Sequence, residues 1–277
     1  MSDLLEVDIR KPAVAGSFYP DSPSELRSLI DSLIQNSRAE PVTEPVLGLV
    51  CPHAGYAFSG MVAASAYKQL RGRTYDMVVV ISPSHDSSFR GCTTLAKAAY
   101  ETPLGVIDAA YDEAGHLADI CEYVELNWIG HRREHAIEVQ LPFLQRMLPK
   151  FRLLPVVMGE QSFEVASRLG ECLGQIADGK SCLVIASSDL SHYRNYNDAV
   201  SIDSRTMEVI SAFDALAFEE RMVEKKIEAC GRGPIIATII AAKALGAKHI
   251  VQLDYMNSGD ITGRTACVVG YGAAALY

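Results

Sequence analysis

Three histidines each follow a short apolar run, and their positions suit shared chemistry. His53 lies in Pro52-His53-Ala54-Gly55-Tyr56, His85 in Ser82-Pro83-Ser84-His85-Asp86, and His192 in Ser187-Ser188-Asp189-Leu190-Ser191-His192. Imidazole suits both metal ligation and proton transfer, because its ordinary pKa lies near neutrality. The runs before them, at 46–51, 77–81 and 182–186, are apolar at consecutive positions, as expected of strands buried on both faces of a parallel sheet. In an open parallel sheet the carboxyl ends of the strands share one edge, and ligands bind in the crevice outside it. If these strands are parallel neighbours, the three imidazoles converge. Pro52 and Pro83 are expected to end strand pairing and stiffen the turn before each histidine. Asp86 and Asp189 are close enough in sequence to orient an imidazole or a water.

Cys230 is a candidate further donor. It precedes Gly231-Arg232-Gly233-Pro234, which opens an apolar helix at 234–245. A helix N-terminus and the Arg232 charge both favour a thiolate, the form that binds metal or attacks an electrophile. Buried, inert cysteine is the competing reading. Two imidazoles with one anionic ligand form the open arrangement of non-heme Fe(II) oxygenases. Thiolate in place of the usual carboxylate extends the choice to Zn, Cu(I) or sulfur-ligated Fe.

Glu134-His135-Ala136-Ile137-Glu138 resembles a helical metal motif but lacks the HExxH order. His135 and Glu138 are better read as groups turned toward the same crevice behind the ligands. His116 and His249 read as surface residues. No P-loop, GxGxxG after a strand, GxSxG or kinase set is present in the sequence.

The elements that must position these residues alternate. Helical patterns at 22–35, 60–70, 134–148 and 163–177 fall between the apolar runs, to which 151–157 is added. This predicts an α/β fold in a single domain over 1–277, with a mixed, mostly parallel central sheet and helices on both faces. Further helices are expected at 201–213 and 215–226, and two antiparallel strands at 249–256 and 265–271 around a turn-rich link.

Composition narrows the function. The 277 residues are 49% hydrophobic and carry a net charge of −9. No Lys/Arg-rich stripe exists to neutralise phosphates, so nucleic acid is a poor partner. The longest apolar stretch, 234–245, is broken by Lys243 and falls short of the roughly 18 residues of a membrane span. The first eight residues are acidic and lack the features of a signal peptide. The seven cysteines are scattered without a CxxC, which reads as buried free thiols in a reducing compartment, the cytoplasm.

Six segments together resemble the Memo family, including the microbial AmmeMemoRadiSam system protein B. They are residues 10–20 (RKPAVAGSFYP), 52–56 (PHAGY), 82–85 (SPSH), 134–142 (EHAIEVQLP), 187–192 (SSDLSH) and 230–234 (CGRGP), and they span nearly the whole chain. The resemblance implies a fold similar to class III extradiol dioxygenases. It implies His53, His85 and Cys230 as metal ligands, His192 as acid/base with Asp189 nearby, and Fe(II) or copper as the ion. It also implies a dioxygenase-like redox enzyme acting on a small molecule or peptide, beside AMMECR-like and radical SAM protein partners. The alternative it carries is a non-catalytic module that binds phosphopeptides or proteins through a vestigial pocket. Phe18 stands where animal members carry tryptophan.

Overall fold

The computed structural model describes residues 7–277. The first six residues, most of the segment read above as lacking signal-peptide features, lie outside the described residues. In chain order the first elements are β1 (Asp8–Arg10), α1 (Pro23–Asn36), β2 (Gly48–Cys51), α2 (Tyr56–Tyr67), β3 (Met77–Pro83), β4 (Cys92–Thr94), β5 (Ala98–Thr102) and β6 (Gly105–Ile107). There follow α3 (Tyr111–Ile120), β7 (Val124–Leu126), α4 (His135–Glu138), α5 (Leu141–Met147), β8 (Arg152–Met158), α6 (Phe163–Ile176), β9 (Cys182–Ser187) and β10 (His192–Arg194). The chain ends with α7 (Tyr196–Ser211), α8 (Ala215–Val223), α9 (Arg232–Ala244), β11 (Ile250–Asn257), α10 (Ser258–Thr262) and β12 (Val268–Leu276).

Among the described residues the main sheet has the order β10-β12-β2-β9-β3-β8-β4-β7, with β11 also paired to β12. Its centre, β2-β9-β3-β8, is parallel. β12 joins β2 antiparallel and β4 joins β8 antiparallel, so the sheet is mixed as expected. A smaller sheet, β1-β5-β6, lies apart.

The apolar runs become central strands because both of their faces are covered. Along β3, Met77, Val79 and Ile81 enter one core with residues of α3, α6 and α9. Val78 and Val80 enter the other, with α1, α2 and α5. β9 alternates in the same way: Val184 and Ala186 on one side, Leu183 and Ile185 on the other. This satisfies the expectation of helices on both faces. Glycine permits close packing of α6 on α9: a Cβ at Gly170 would lie 2.7 Å from the Ala237 carbonyl oxygen, and one at Gly174 2.6 Å from the Ala244 Cβ.

Several boundaries differ from those expected. The helical pattern at 134–148 is two short helices, with Pro142 in the first turn of α5. Pro83 does not stop pairing; it is the last residue of β3 and sits opposite Met158. The link between β11 and β12 folds into α10, capped at its start by Asn257 and at its end by Gly263 in the left-handed region. Cys267, expected to be buried, is exposed just before β12, whereas Cys51, Cys92, Cys121, Cys172 and Cys182 are buried and free. His116 and His249 are on the surface. Among the described residues no helix is long and apolar enough to cross a membrane.

Candidate metal centre

The carboxyl ends of β2, β3 and β9 lie side by side, since β9 pairs in parallel with both of the others. His53 follows β2, His85 follows β3, and the Ser187–Asp189 turn closes β9. Cys230 arrives from the loop before α9. One donor atom from each of His53, His85 and Cys230 lies within 4.8 Å of the others. The Cys230 Sγ is 3.3 Å from His53 Nε2.

The hydrogen bonds around His53 fix its tautomer. Ser187 has one hydroxyl proton, and it goes to the Ala136 carbonyl oxygen at 2.6 Å. Its oxygen therefore accepts from Gln140 Nε2 at 2.8 Å and from His53 Nδ1 at 2.9 Å. With Nδ1 carrying the proton, the His53 Nε2 lone pair faces the sulfur and the pocket. Gln140 is itself held, donating to the Pro52 carbonyl at 3.0 Å and accepting from the Tyr67 hydroxyl at 2.8 Å. Asp189 Oδ1 accepts the His53 backbone N–H at 2.8 Å.

Glu134 does the same for His85. A carboxylate only accepts, so the 3.0 Å contact to His85 Nδ1 places the ring proton there and leaves Nε2 free. Glu134 also accepts the backbone N–H of His85 at 2.7 Å and of Ala136 at 2.8 Å. His192 follows the same pattern: its Nδ1 donates to the Leu190 carbonyl at 2.9 Å. Three imidazoles thus present Nε2 with the second ring nitrogen already occupied.

His135 completes a cluster of rings. Its centroid is 4.9 Å from that of His85 and 5.5 Å from that of His53, with Phe18 edge-on at 5.1 Å. A second donor group, His85, Glu134 and His135, also falls within 4.8 Å.

The electrostatics favour a neutral His53 and a protonated Cys230, and act the other way on His85. Burial, reinforced by the neighbouring imidazoles His85 and His135, drives His53 well below its ordinary pKa. Burial also lowers His135. Burial works against the His85 proton too, yet the Glu134 hydrogen bond and the charges of Glu134 and Asp189 outweigh it, and His85 is raised. Glu134 would be raised by burial, but its hydrogen bonds from His85 and the Ala136 N–H, with the His85 charge, hold it down at about 2. Burial and the Asp189 charge push the Cys230 thiol up to about 12. Asp189 is itself raised by burial. Metal coordination reverses the preference of such a thiol, since a coordinating sulfur is deprotonated outright.

Not every residue expected at the pocket is there. Glu138 faces away: it pairs with the Arg10 guanidinium and accepts from the Tyr19 hydroxyl and the backbone N–H groups of Ala13 and Val14, tying down the N-terminal segment. Arg232 is engaged by Glu219 of α8, so its charge is matched there rather than lent to Cys230. The donor that does reach the sulfur is the Asp189 backbone N–H, at 3.2 Å. Asp86 is exposed and lines a surface depression with Trp128, Arg132 and Arg133; the His85 ring is oriented by Glu134 instead. His131, just ahead of α4, is fully buried against Tyr100, 2.8 Å from its hydroxyl, and takes no part in the donor cluster. Glu134, Ser187 and Gln140 are the functional side chains that sequence reasoning passed over. The only signal for them was position: each adjoins a candidate residue or lies in the EHAIEVQ segment.

The donor set fits a transition-metal ion. It offers imidazole nitrogens with assigned lone pairs, a soft sulfur, and buttressing partners that orient the rings, as metal-binding histidines require.

Comparison with known proteins agrees with the sequence motifs. A MEMO1 family protein of Nitrosopumilus maritimus is 38% identical over 270 residues, covering 96% of this chain and 98% of its own. A MEMO1 family protein of Methanosarcina mazei is 40% identical over 275 residues, with the same coverage. The crystal structure of an uncharacterised Escherichia coli K12 protein shares the fold at 12% identity, with a TM-score of 0.50 over 81% of this chain and 99% of that one. A profile described as Memo-like protein matches residues 10–275, and with these relatives it places the chain in the Memo family.

Proposed function

We propose that this protein is a metal-dependent redox enzyme of dioxygenase-like chemistry, built as one Memo-like domain, with His53, His85 and Cys230 as its metal ligands. The observation that carries the reading is the convergence, within 4.8 Å, of donor atoms from three segments distant in sequence. Fe(II) suits two imidazoles and an anionic ligand; the sulfur also admits copper or zinc. Iron held by these residues would supply redox chemistry toward O₂ or substrate.

The protein's own groups would do the rest. His192 is the general acid/base, and because its Nδ1 proton is committed to the Leu190 carbonyl, Nε2 is the atom that takes and returns the proton. Asp189 is a positioning residue for His53, through the backbone N–H it accepts. Its second oxygen lies 4.0 Å from His53 Nε2, on the pocket side. Neutral His135 narrows the pocket beside them. An acidic chain with buried free thiols suits a reducing cytoplasm.

Metal analysis of protein purified without oxygen tests the proposal. About one transition-metal ion per chain is expected in the wild type and little in His53→Ala. Wild-type protein that takes up no iron, copper or zinc would overturn it.

A further inference from the structure

The face of the molecule beside β1 carries a hollow that the metal centre does not use. About 600 Å³ in volume, it lies between residues 8–14 and the segment from Trp128 to Arg133. A second hollow of about 240 Å³ adjoins it, sharing Trp128, Arg132 and Arg133 and bordered by Ile129 and Asp86. Trp128 is the one tryptophan of the chain.

β1 offers an open edge there. The small sheet has the order β1-β5-β6, so among the described residues β1 is paired on one side alone. It runs parallel to β5, with the Asp8 N–H bonded to the Lys97 carbonyl at 3.1 Å. Backbone groups alternate sides along a strand, so the N–H and C=O of Ile9 face the unpaired side. The Ile9 side chain is 43% exposed, and Ile129, next to Trp128, is 40% exposed.

The opposite wall is fixed in shape. The His131 N–H closes a turn on the Trp128 carbonyl at 3.1 Å. The Ile129 N–H bonds Asn127 Oδ1 at 3.0 Å, and the Ile129 carbonyl accepts the Thr93 hydroxyl at 2.8 Å. Gly130 follows with φ of 80°, and a Cβ there would lie 2.9 Å from the Phe89 ring. The Arg132 guanidinium lies over the Trp128 ring, 5.0 Å from its centre. Arg132 and Arg133 are exposed, and neither has a carboxylate partner among the described residues, although Asp8 and Asp86 border the hollows. Lys11, by contrast, is matched by Glu101. In a chain of net charge −9, a pinned turn thus presents two unmatched guanidiniums and a half-buried indole beside an unpaired strand.

We infer that this face docks an extended acidic segment of a partner protein, which adds as a strand to the open edge of β1. Its apolar side chains cover Ile9 and the Trp128 ring, and its carboxylates pair with Arg132 and Arg133. Strand addition is the mode that an unpaired edge offers: main-chain bonds give affinity and side-chain contacts give specificity. The pinned turn is ordered before binding, which lowers the entropic cost of association. A basic segment would instead meet the two guanidiniums with like charge. The inference goes beyond the metal centre and does not depend on it.

Titration of the full chain with the peptide acetyl-EVEVEVE-amide, followed by tryptophan fluorescence, tests the proposal. The peptide has no aromatic residue, so the signal belongs to Trp128. A saturable change is expected, with an affinity that falls as salt is added. Arg132→Glu combined with Arg133→Glu is expected to weaken binding at least about tenfold. The same peptide N-methylated at every residue keeps its charge but donates no main-chain hydrogen bond, and is expected to bind at least about tenfold more weakly. The altered peptide leaves the protein untouched, so the test stands whatever the double variant does to the fold. No fluorescence change, or equal binding by acetyl-KVKVKVK-amide, by the N-methylated peptide or by the double variant, overturns the proposal. So does inorganic phosphate that produces the same change at the same concentration, which would make the hollow an oxyanion site. Dimerisation of the peptide-free protein that the double variant abolishes also overturns it, by making a second copy of the chain the occupant.

Discussion

Glu134 grips His85 at two points: one carboxylate oxygen accepts the His85 backbone N–H at 2.7 Å, and the other accepts the ring Nδ1–H at 3.0 Å. The carboxylate therefore sets both where the loop sits and which ring nitrogen is left for a ligand. The variant Glu134→Gln puts an amide NH₂ where one of these donors needs an acceptor. Metal affinity is expected to fall by roughly 10- to 100-fold, as is usual when the partner of a metal-binding histidine is lost. Competition against a chromophoric chelator measures it, and an unchanged dissociation constant would show that the grip is immaterial.

Metal uptake should strengthen with pH. The Cys230 thiol, pushed up to about 12 by burial and the Asp189 charge, holds its proton throughout the physiological range, so coordination releases that proton. Each unit of pH then raises apparent affinity about tenfold. His85 is raised above its ordinary value, so in mildly acid solution a second proton competes and the dependence steepens there. His53, lowered by burial, is already neutral and adds nothing. Cys230→Ser should flatten the profile as well as weaken binding. A flat wild-type profile between about pH 6 and 8, the range around neutrality where imidazoles ordinarily titrate, would contradict the assignment of the thiol as a ligand.

The same Glu134–His85 pair makes the metal-free fold sensitive to acid. Glu134 lies at about 2 when folded, below its ordinary 4.5, because the His85 and Ala136 hydrogen bonds outweigh the effect of burial. A depressed carboxylate contributes stability that is present above the unfolded pKa and lost as the pH falls through the folded one. That loss is on the order of 3 kcal/mol. His85 is raised, and its contribution runs the other way: present below the unfolded pKa of 6.5 and lost as the pH rises through the folded value. Urea unfolding of metal-free protein should show stability falling below neutrality, because burial holds His53, His131 and His135 neutral and they outnumber His85; the further acid limb below about pH 4.5 should be shallower in Glu134→Gln than in the wild type, with Glu113 supplying the remainder.

Arg10 and Glu138 form a pair that is almost wholly excluded from water, with side-chain exposures of 1% and 0%. The Arg10 Nε also donates to the His131 carbonyl at 3.1 Å. Arg10→Met would leave the Glu138 carboxylate buried with only the Tyr19 hydroxyl and two backbone N–H groups. The cost is expected to be about 3–5 kcal/mol, the usual consequence of breaking one side of a buried ion pair. Denaturant titration checks it. A loss below about 1 kcal/mol would show that the pair contributes little to holding the N-terminal segment.

The parts of this architecture that were legible in the sequence are those governed by local pattern. β2, β3, β8 and β9 are continuous apolar runs because both faces of each are covered, and such runs are distinctive. Their ends mark the sites of His53 and His85. The strands between 92 and 126 were invisible for the opposite reason: β4, β6 and β7 have three residues each, too few for any period to show. Contacts across the fold were also hidden. Glu134 reaches His85 over 49 positions, whereas Asp86 is adjacent to His85 in sequence and turns outward. Adjacency in the chain therefore suggested the wrong carboxylate. Glu138 failed similarly, because its partner Arg10 lies 128 positions away.

The interleaved order of the central strands has a consequence for biogenesis. β9 inserts between β2 and β3, so those two strands cannot adopt their final spacing until the polypeptide has been made through Ser187. The thiol at position 230 emerges later still. The three donor atoms can meet only after the chain has been made through that position, and a truncation ending ahead of Cys230 would keep the two imidazoles and lack the sulfur.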